Sequence, residues 1–316
     1  MLKLIRELSK RGVMGVNQRN AQFISQYNPR KFYPLVDDKL RTKRLAQESG
    51  IAVPELYGVI EIQAEVNRLE GILKKHREFV IKPAHGSGGE GVTVITGRSK
   101  HLYRAIGGEL YSPEEMAYYV SCILGGMFSL GGHPDQAMIE YRVNFHPVFE
   151  DVSYLGVPDI RIIVFLGVPV MSMVRLPTRL SDGKANLHQG AIGVGIDIAT
   201  GRTLKGVWRN DVIQEHPDTG ANITGISIPD WDRMLKLASQ SYELTGLGYQ
   251  GIDIVIDKDK GPLILELNAR PGLNIQIANQ TGLYHRLRAV EQKAVDITAV
   301  ADRVAFAKEH FSSAIG

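Results

Sequence analysis

A lysine and four closely spaced glycines stand between two short apolar runs in the first third of the chain. The runs are FVIKP (79–83) and VTVIT (92–96), and the anion-binding candidates of the segment are Lys82, Gly86, Ser87, Gly88, Gly89 and Gly91. Because glycine has no Cβ, backbone N–H groups can turn towards an anion, and Lys82 adds a positive charge. A strand rather than a helix follows, which excludes a P-loop and a dinucleotide-binding fingerprint. We predict a phosphate-binding loop; a hairpin loop with an unrelated lysine is the alternative.

Two carboxylates and an amide recur on two apolar runs near the end of the chain. Asp253 lies in IDIVID (252–257), and Glu266 and Asn268 lie in PLILELN (262–268). Residues i and i+2 of a strand point to one face, and a hairpin turn brings Asp253 opposite the other two. Such hard oxygen donors suit Mg²⁺, and two facing carboxylates would repel each other without a cation. The pattern predicts a magnesium site; three solvent-facing side chains are the alternative.

Arginines and one histidine lie near the predicted strand ends of the same half. Arg161 belongs to a strand, Arg270 follows Asn268 by two residues, and His188 lies in KANLHQG (184–190). Guanidinium groups match the geometry of carboxylates and phosphates, and histidine is a common general base. Each signal is weak alone, since a strand arginine is more often a surface residue and a lone histidine more often structural.

The composition is that of a globular protein, with 44% hydrophobic and 22% charged residues, which excludes a disordered chain. The length of 316 residues predicts about two packed units. A net charge of +3 gives no reason to expect nucleic acid as a partner. The single cysteine, Cys122, excludes an intrachain disulfide and favours the cytoplasm. Residues 116–134 are uncharged, but two Gly-Gly pairs interrupt them, so we predict no membrane span.

The strands that carry these residues pair through short turns, with helices between them. We predict helices over residues 38–49, 62–75, 113–124 and 230–245 and beyond 284, and strands over 79–83, 92–96, 137–143, 160–174 (a hairpin), 252–257 and 262–268. Ser112, Pro113 and Glu115 form a helix-start signature, and Gly50 and Gly246 are typical helix ends. Residues 1–36 form a basic arm with weak periodicity. Hairpin-paired strands predict an α+β fold rather than a doubly wound parallel sheet.

In their order and spacing these segments resemble the ATP-grasp superfamily. The resemblance is closest to its alpha-L-glutamate ligase branch (ribosomal-protein-modifying type) and to the sugar-transfer-associated branch. It covers about residues 37–283, through the segments DDKLRTKRLAQESGIAVPE, FVIKPAHGSGGEGV, MIEYRV, DIRIIVF, KANLHQGAIG, GIDIVID and LELNARPG. The resemblance implies two α+β subdomains with ATP between two mainly antiparallel sheets, and the usual N-terminal α/β domain is expected to be absent. The domains implied are an arm over 1–36, a first subdomain with the phosphate loop over 37–140, and a second with the metal site, substrate site and C-terminal helix over 141–316.

The resemblance also assigns roles to residues. Lys39, Lys82 and the glycine-rich loop would contact the ATP phosphates. The adenine hinge would be Glu140, Tyr141, Arg142 and Val143, and further nucleotide contacts would come from Asp159, Lys184 and Asn186. Asp253, Glu266 and Asn268 would hold two Mg²⁺ ions, for which Mn²⁺ can substitute. Arg161, Arg270 and His188 would be catalytic, although Arg270 replaces a small residue common in the glutamate-ligase branch.

The activity implied is an ATP- and Mg²⁺-dependent carboxylate–amine ligase that forms an amide through an acyl phosphate. It would add glutamate or another amino acid, with small-molecule or peptide carboxylates and amines as substrates. The sequence leaves the oligomeric state open and is compatible with a homodimer. An acidic substrate is favoured by Arg161, Arg175, Arg179 and Arg270, unless Arg175 and Arg179 lie on a solvated loop. The alternatives are an ATP-dependent phosphotransferase and a non-catalytic nucleotide-binding regulator. A regulator predicts the loss of a metal ligand or phosphate lysine, and neither is missing here.

Overall fold

The computed structural model describes residues 2–86 and 89–312, which pack into two compact units. The larger unit contains the described residues of 1–37, 45–52 and 144–316, and the smaller unit contains those of 38–44 and 53–143. Two residues of the predicted phosphate loop, Ser87 and Gly88, lie outside the described residues. The domain limits expected from the sequence stay a prediction.

The described residues form α-helices, strands and short 3₁₀ segments. The helices are α1 Leu2–Lys10, α2 Val16–Arg19, α3 Ser25–Tyr27, α4 Pro34–Asp37, α5 Lys39–Glu48, α6 Leu69–Leu73, α7 Pro113–Leu124, α8 Trp231–Thr245, α9 Ile275–Ala278, α10 Tyr284–Lys293 and α11 Val300–His310. The strands are β1 Leu56–Ile60, β2 Phe79–Pro83, β3 Thr93–Ser99, β4 Leu102–Ala105, β5 Leu110–Tyr111, β6 Ala137–Glu140, β7 Asp159–Phe165, β8 Val168–Leu176, β9 Ile192–Ile196, β10 Thr203–Trp208, β11 Asp211–Ile213, β12 Tyr249–Asp257 and β13 Gly261–Asn268. No helix within residues 2–86 and 89–312 combines the length and apolar character needed to cross a bilayer.

The smaller unit is an antiparallel sheet of six strands in the order β1-β6-β2-β3-β4-β5. One face of the sheet packs against α6 and α7, where Phe79, Ile81 and Ile95 meet Met116 and Val120 in a buried cluster. Alternation along β2 explains this packing, because every second residue of a strand points to the same face. The other side chains of β2, among them that of Lys82, therefore point to the opposite face of the sheet.

Helix α7 begins at the signature that the sequence predicted. The Ser112 hydroxyl accepts a hydrogen bond from the Glu115 N–H, and the Glu115 carboxylate accepts one from the Ser112 N–H. Pro113 occupies the first helical position, where its missing N–H costs nothing.

The larger unit is an antiparallel sheet of seven strands in the order β11-β10-β9-β8-β7-β12-β13. The predicted hairpins are confirmed: β7 turns into β8 at Leu166 and Gly167, both with positive φ, and β12 pairs with β13. All nine residues of β12 are buried, since it is a central strand. Helix α8 packs against this sheet and ends at Gly246, whose φ of +67° is the left-handed conformation that glycine adopts without strain. These two antiparallel sheets with their helices confirm the α+β prediction.

The N-terminal residues pack on the larger unit as short helices, which the sequence analysis did not predict. The ring of Phe23 is buried, with its centroid 5.5 Å from that of Phe165. The Asn28 amide donates to the Tyr249 and Ala269 carbonyls at 2.6 and 3.0 Å and accepts from the Tyr249 N–H at 2.8 Å. The hydrogen bonds of Asn28 join residues more than 200 positions apart in the sequence, so helical periodicity within the segment could not reveal them.

Three predicted elements differ in extent from those observed. Strand β6 ends at Glu140 rather than at Val143. The predicted helix over 62–75 begins as the 3₁₀ segment Gln63–Arg68. The C-terminal helical region is broken between α10 and α11.

Replacing the cap of α7 should weaken the smaller unit. We expect Ser112→Ala to lower the free energy of unfolding by about 1 kcal/mol, because the Glu115 N–H loses its acceptor. Ser112→Asp keeps an acceptor and should unfold at nearly the wild-type urea concentration. Urea denaturation followed by circular dichroism measures both variants, and equal midpoints for them would contradict the role of the cap.

Candidate functional site

The smaller unit holds a buried carboxylate between two lysines. Glu140, at the end of β6, is 3% exposed. Its Oε2 lies 2.5 Å from Nζ of Lys43 on α5, and its Oε1 lies 2.6 Å from Nζ of Lys82 on β2. Lys43 is equally buried and also donates to the Pro54 carbonyl at 2.6 Å. Each carboxylate oxygen therefore has its own ammonium group, and the cluster carries one positive charge in excess.

Burial and these charges shift the pKa values of the cluster. Burial lowers the pKa of Lys43 to about 8, although Glu140 acts in the opposite direction. Burial alone would raise the pKa of Glu140, but Lys82 and Lys43 together hold it below its usual value. Glu140 is therefore an anion at neutral pH, and it can keep this charge only while a cation stays beside it.

The start of the glycine-rich loop is fixed from two sides. Nζ of Lys39 donates to the Gly86 carbonyl at 2.5 Å. The Asp135 carboxylate accepts from the His85 N–H at 3.1 Å and lies 2.8 Å from its ring Nδ1. Lys39 and Gly86 are thus brought together, and their role with phosphate stays a prediction.

The end of the same loop requires glycine. Gly89 and Gly91 have φ values of +79° and +69°, which side chains rarely adopt. A Cβ on Gly91 would also lie 2.5 Å from the ring of Phe128. The loop backbone is therefore set by the sequence at both described ends.

The other three predicted hinge residues, Tyr141, Arg142 and Val143, follow Glu140 directly. The Tyr141 N–H donates to the Glu55 carbonyl at 2.8 Å, and the Arg142 guanidinium bonds Glu78 at 2.7 Å. Val143 is buried. Their role with adenine stays a prediction.

The larger unit holds a second buried carboxylate between two basic side chains. Asp253 on β12 is 3% exposed. The Arg161 guanidinium on β7 bonds both of its oxygens, at 2.7 and 2.6 Å, and Nη2 of Arg175 on β8 lies 3.0 Å from Oδ2. Arg175 also makes a two-bond contact with the carboxylate of Asp159. Two carboxylates and two guanidinium groups thus form one neutral network on neighbouring strands.

The two carboxylates of this network differ in pKa. Burial raises the pKa of Asp159 to about 6; Arg175 opposes this shift and the nearby Asp253 adds to it. For Asp253, the effect of burial is outweighed by Arg161 and Arg175, which bring its pKa to about 2. Asp253 is consequently the permanent anion of the network, and Asp159 is the group that protonates first as the pH falls.

The predicted metal ligands lie together on the sheet. Asp253 is paired directly with Glu266, and Gly251 with Asn268, so the predicted register is confirmed. The Asn268 amide lies 3.3 Å from Oδ2 of Asp253. Within the described chain no cluster of three His, Cys, Asp or Glu side chains could hold a metal. The predicted set is instead two carboxylates and one amide, and these hard oxygens fit Mg²⁺ by their chemistry.

The remaining predicted residues have various surroundings. The Arg270 guanidinium lies 4.8 Å from the ring centre of Tyr33. The Asn186 carboxamide accepts from the His188 N–H at 3.0 Å and so caps a 3₁₀ turn. The side chains of His188 and Lys184 are exposed. Roles for Arg270, Lys184, Asn186 and His188 stay predictions.

Sequence reasoning missed two basic partners. Lys43 was not singled out, although it follows Lys39 by four residues and so shares its helix face. Arg175 was assigned to a substrate, yet its guanidinium is bound by Asp159 and Asp253. Arg179, assigned likewise, stacks 5.5 Å from the ring centre of Tyr154.

Comparison with known proteins identifies the family. Residues 18–292 match the model of the sugar-transfer associated ATP-grasp family. The chain belongs to this family. Membership confirms the ATP-grasp fold predicted from the segments. A search of curated proteins gives no match.

Several solved structures are similar to this ATP-grasp chain. ATP-grasp ligase PsnB complexed with minimal precursor has 13% identity and a TM-score of 0.45, and the match covers 89% of this chain and 63% of that chain. D-cycloserine synthetase DcsG has 16% identity and a TM-score of 0.46, covering 84% and 72%. D-alanine–D-alanine ligase from Bacillus anthracis complexed with ATP has 14% and 0.42, covering 87% and 65%. The chain thus spans less than two thirds of the length of PsnB.

Removing the buried carboxylate of Asp253 should destabilise the larger unit more than removing an exposed carboxylate. We expect Asp253→Ala to lower the free energy of unfolding by about 3–5 kcal/mol, because buried guanidinium groups lose their partner. Asp259→Ala, in the exposed turn after β12, is the matched control and should change it by less than about 0.5 kcal/mol. Urea denaturation measures both. A loss below 1 kcal/mol for Asp253→Ala would contradict the network's structural role.

The lowered pKa of Lys43 predicts a pH dependence. Between pH about 8 and about 10 the unfolded chain binds more protons than the folded one, so the free energy of unfolding rises with pH. Wild type should gain stability relative to Lys43→Met over this range. Lys75→Met, which removes an exposed lysine, should show no such difference from wild type. Parallel stability curves for wild type and Lys43→Met would argue against the shift.

Proposed function

We propose that the chain is an ATP- and Mg²⁺-dependent carboxylate–amine ligase. The observation that carries the proposal is the pair of buried carboxylates, Glu140 and Asp253, each held by two basic side chains. Glu140 needs only one of its two lysines to stay charged, so Lys82 is available for an anionic substrate. In the larger unit Asp159 balances the second guanidinium group, so a surplus of positive charge would arise there only with a bound metal ion. Family membership supports ATP as that substrate.

The reaction proceeds in two steps. An oxygen of the substrate carboxylate attacks the γ-phosphorus of ATP, the bond to the β-phosphate oxygen breaks, and ADP leaves. The amine of the second substrate then attacks the acyl carbon, phosphate leaves with the bonding electrons, and the nitrogen loses a proton as the amide forms. Catalysis of such transfers is mainly positioning and charge neutralisation.

Lys82 is proposed to move between two anions. In the structure its Nζ lies 2.6 Å from Glu140. A phosphate that draws Lys82 away leaves Glu140 with Lys43, whose Nζ is 2.5 Å away. The charge of Glu140 is therefore compensated both before and after ATP binds. Lys39, which already bonds the Gly86 carbonyl, would orient the loop towards the phosphates.

The larger unit would supply the metal and the second set of cations. Asp253, Glu266 and Asn268 would hold Mg²⁺, two ions as in the sequence prediction, with Mn²⁺ as a substitute. The metal would neutralise phosphate charge. A cation at Asp253 would compete with Arg161 and Arg175 for its oxygens, and thereby free guanidinium donors for the transferred phosphate. Arg270 is proposed to stand beside the reacting carboxylate.

The more specific prediction about the substrate is that the enzyme adds glutamate or another amino acid. Its support was a group of four arginines, and Arg161 and Arg175 are already bound by Asp253 and Asp159. Arg179 and Arg270 thus remain as the argument for an acidic group. The cytoplasm is a further proposal, drawn from the single Cys122.

The proposal predicts which variants lose turnover. Lys82→Met and Glu266→Ala should each abolish Mg²⁺-dependent ADP release with a panel of amino acids and short peptides. Lys258→Met, which removes an exposed lysine, should keep wild-type rates.

Mass spectrometry of the products separates the alternatives. A ligase gives ADP, phosphate and a new amide, whereas a phosphotransferase gives ADP and a phosphorylated substrate. Wild-type turnover in Glu266→Ala with Mg²⁺ as the only metal would contradict the metal assignment, and the absence of any turnover would favour a regulator.

A further inference from the structure

A cavity of about 70 Å³ opens on the larger unit, and none of the residues assigned so far lines it. Its lining is mostly apolar, and the two polar side chains on it are those of Arg209 and Asn274. The apolar part comes from the turn before β9, from β10 and from α9, with Leu187, Val207 and Ile277 as its larger side chains. A small apolar cavity with one cation at its edge fits a ligand that has an apolar group and a carboxylate.

The strand register places this cavity beside the arginine–carboxylate network. Gly193 on β9 lines the cavity and is paired directly with Arg175 on β8, which is paired in turn with Asp159 on β7. Directly paired residues of antiparallel strands point to the same face, and neighbouring strands are about 4.8 Å apart. The cavity is therefore on the face of the sheet that carries Arg175 and Asp159, one strand away from the network.

The absence of a side chain on Gly193 lets Leu187 and Ala278 pack closely on this part of the face. A Cβ on Gly193 would lie 2.9 Å from Cδ2 of Leu187 and 3.3 Å from Cβ of Ala278. Its partner on β10 is Val207, which also lines the cavity. The floor is thus bare backbone with aliphatic walls.

The volume sets the size of the apolar group. One water-sized probe needs about 10–15 Å³ measured in this way, so the cavity of about 70 Å³ takes about five non-hydrogen atoms. The side chains of valine, leucine, isoleucine and methionine are of this size. The side chain of glutamate, with three carbons and two oxygens, would also fit by volume, but its carboxylate would lose its hydration against Leu187, Val207 and Ile277.

Arg209 is suited to the other end of such a ligand. It lies in the turn between β10 and β11 with φ of 56°, its side chain is exposed, and its guanidinium is 4.9 Å from the ring centre of Trp208. Stacking on Trp208 limits the rotamers of the guanidinium. A two-bond contact with a carboxylate is the strongest interaction open to it.

We propose that this cavity is the subsite for an aliphatic amino acid, whose side chain enters it and whose α-carboxylate binds Arg209. The proposal rests on the ligase function above and makes this amino acid the amine substrate. Its carboxylate is held at Arg209 and is not the one that ATP activates. Its amino group is the nucleophile that attacks the acyl carbon of the other substrate.

Calorimetric titration of the full chain with L-leucine, in the presence of Mg²⁺ and a non-hydrolysable ATP analogue, tests the proposal. We expect L-leucine to bind at least tenfold more tightly than L-alanine or L-glutamate. Arg209→Asn should weaken L-leucine binding at least tenfold, and asparagine tolerates the positive φ at this position. The control Arg202→Asn removes another exposed arginine of the larger unit and should change nothing.

A second pair of variants tests the apolar wall. Ile277→Ser should reduce the preference for L-leucine over L-alanine to less than threefold, while Val295→Ser, which changes a residue outside the lining, should keep it. Both residues are more than half exposed, which protects the fold in either variant.

Two outcomes separate this proposal from the proposed function. Normal binding of the ATP analogue and amino-acid-dependent ADP release, without a leucine preference or without an effect of Arg209→Asn, would overturn the subsite and leave the ligase intact. Leucine binding that depends on Arg209, together with no ADP release for any amino acid, would overturn the ligase and leave the subsite intact.

Discussion

A buried carboxylate stays charged only if a cation stays beside it, and both units of this protein are organised around that constraint. Glu140 in the smaller unit and Asp253 in the larger unit are each almost fully buried. Each is bound by two basic side chains, Lys43 and Lys82 in one case and Arg161 and Arg175 in the other. In the smaller unit, removal of Lys82 by a substrate anion therefore leaves Glu140 compensated by Lys43. The network of the larger unit is neutral because it includes Asp159, so in the proposed reaction a metal ion at Asp253 would have to free its guanidinium groups for phosphate.

The antiparallel pairing of the strands fixes the positions of these charged side chains. In the larger unit, direct pairing aligns Asp253 with Arg161 on one side and with Glu266 on the other. The next row of the sheet aligns Asp159, Arg175 and Gly193. Because side chains of paired residues share a face, one surface of the sheet carries the predicted metal ligands, then the guanidinium groups, then the apolar cavity. The proposed subsite thus uses the same register that builds the charged network.

Much of this arrangement could be predicted from local patterns. Alternation along two strands and a tight turn were enough to bring Asp253 to Glu266, and a capping box was enough to start α7. Contacts between distant segments could not be predicted in this way. The three-way contact of Lys43, Glu140 and Lys82 joins a helix to two strands, and the Asn28 amide bonds to Tyr249 join segments 221 residues apart. Neither has a periodic signature, since each depends on how the elements pack rather than on spacing within one of them.

The central claim is that Lys43 keeps Glu140 compensated so that Lys82 can bind ATP, and a double-mutant cycle on ATP affinity tests it most directly. Calorimetry with a non-hydrolysable ATP analogue would compare wild type, Lys43→Met, Glu140→Gln and the double variant, after circular dichroism has shown that each is folded. The account predicts that Lys43→Met weakens binding at least tenfold beside Glu140 but less than twofold beside Gln, a coupling of about 1 kcal/mol. Equal weakening in both backgrounds would contradict it, because Lys43 would then act on the nucleotide without Glu140.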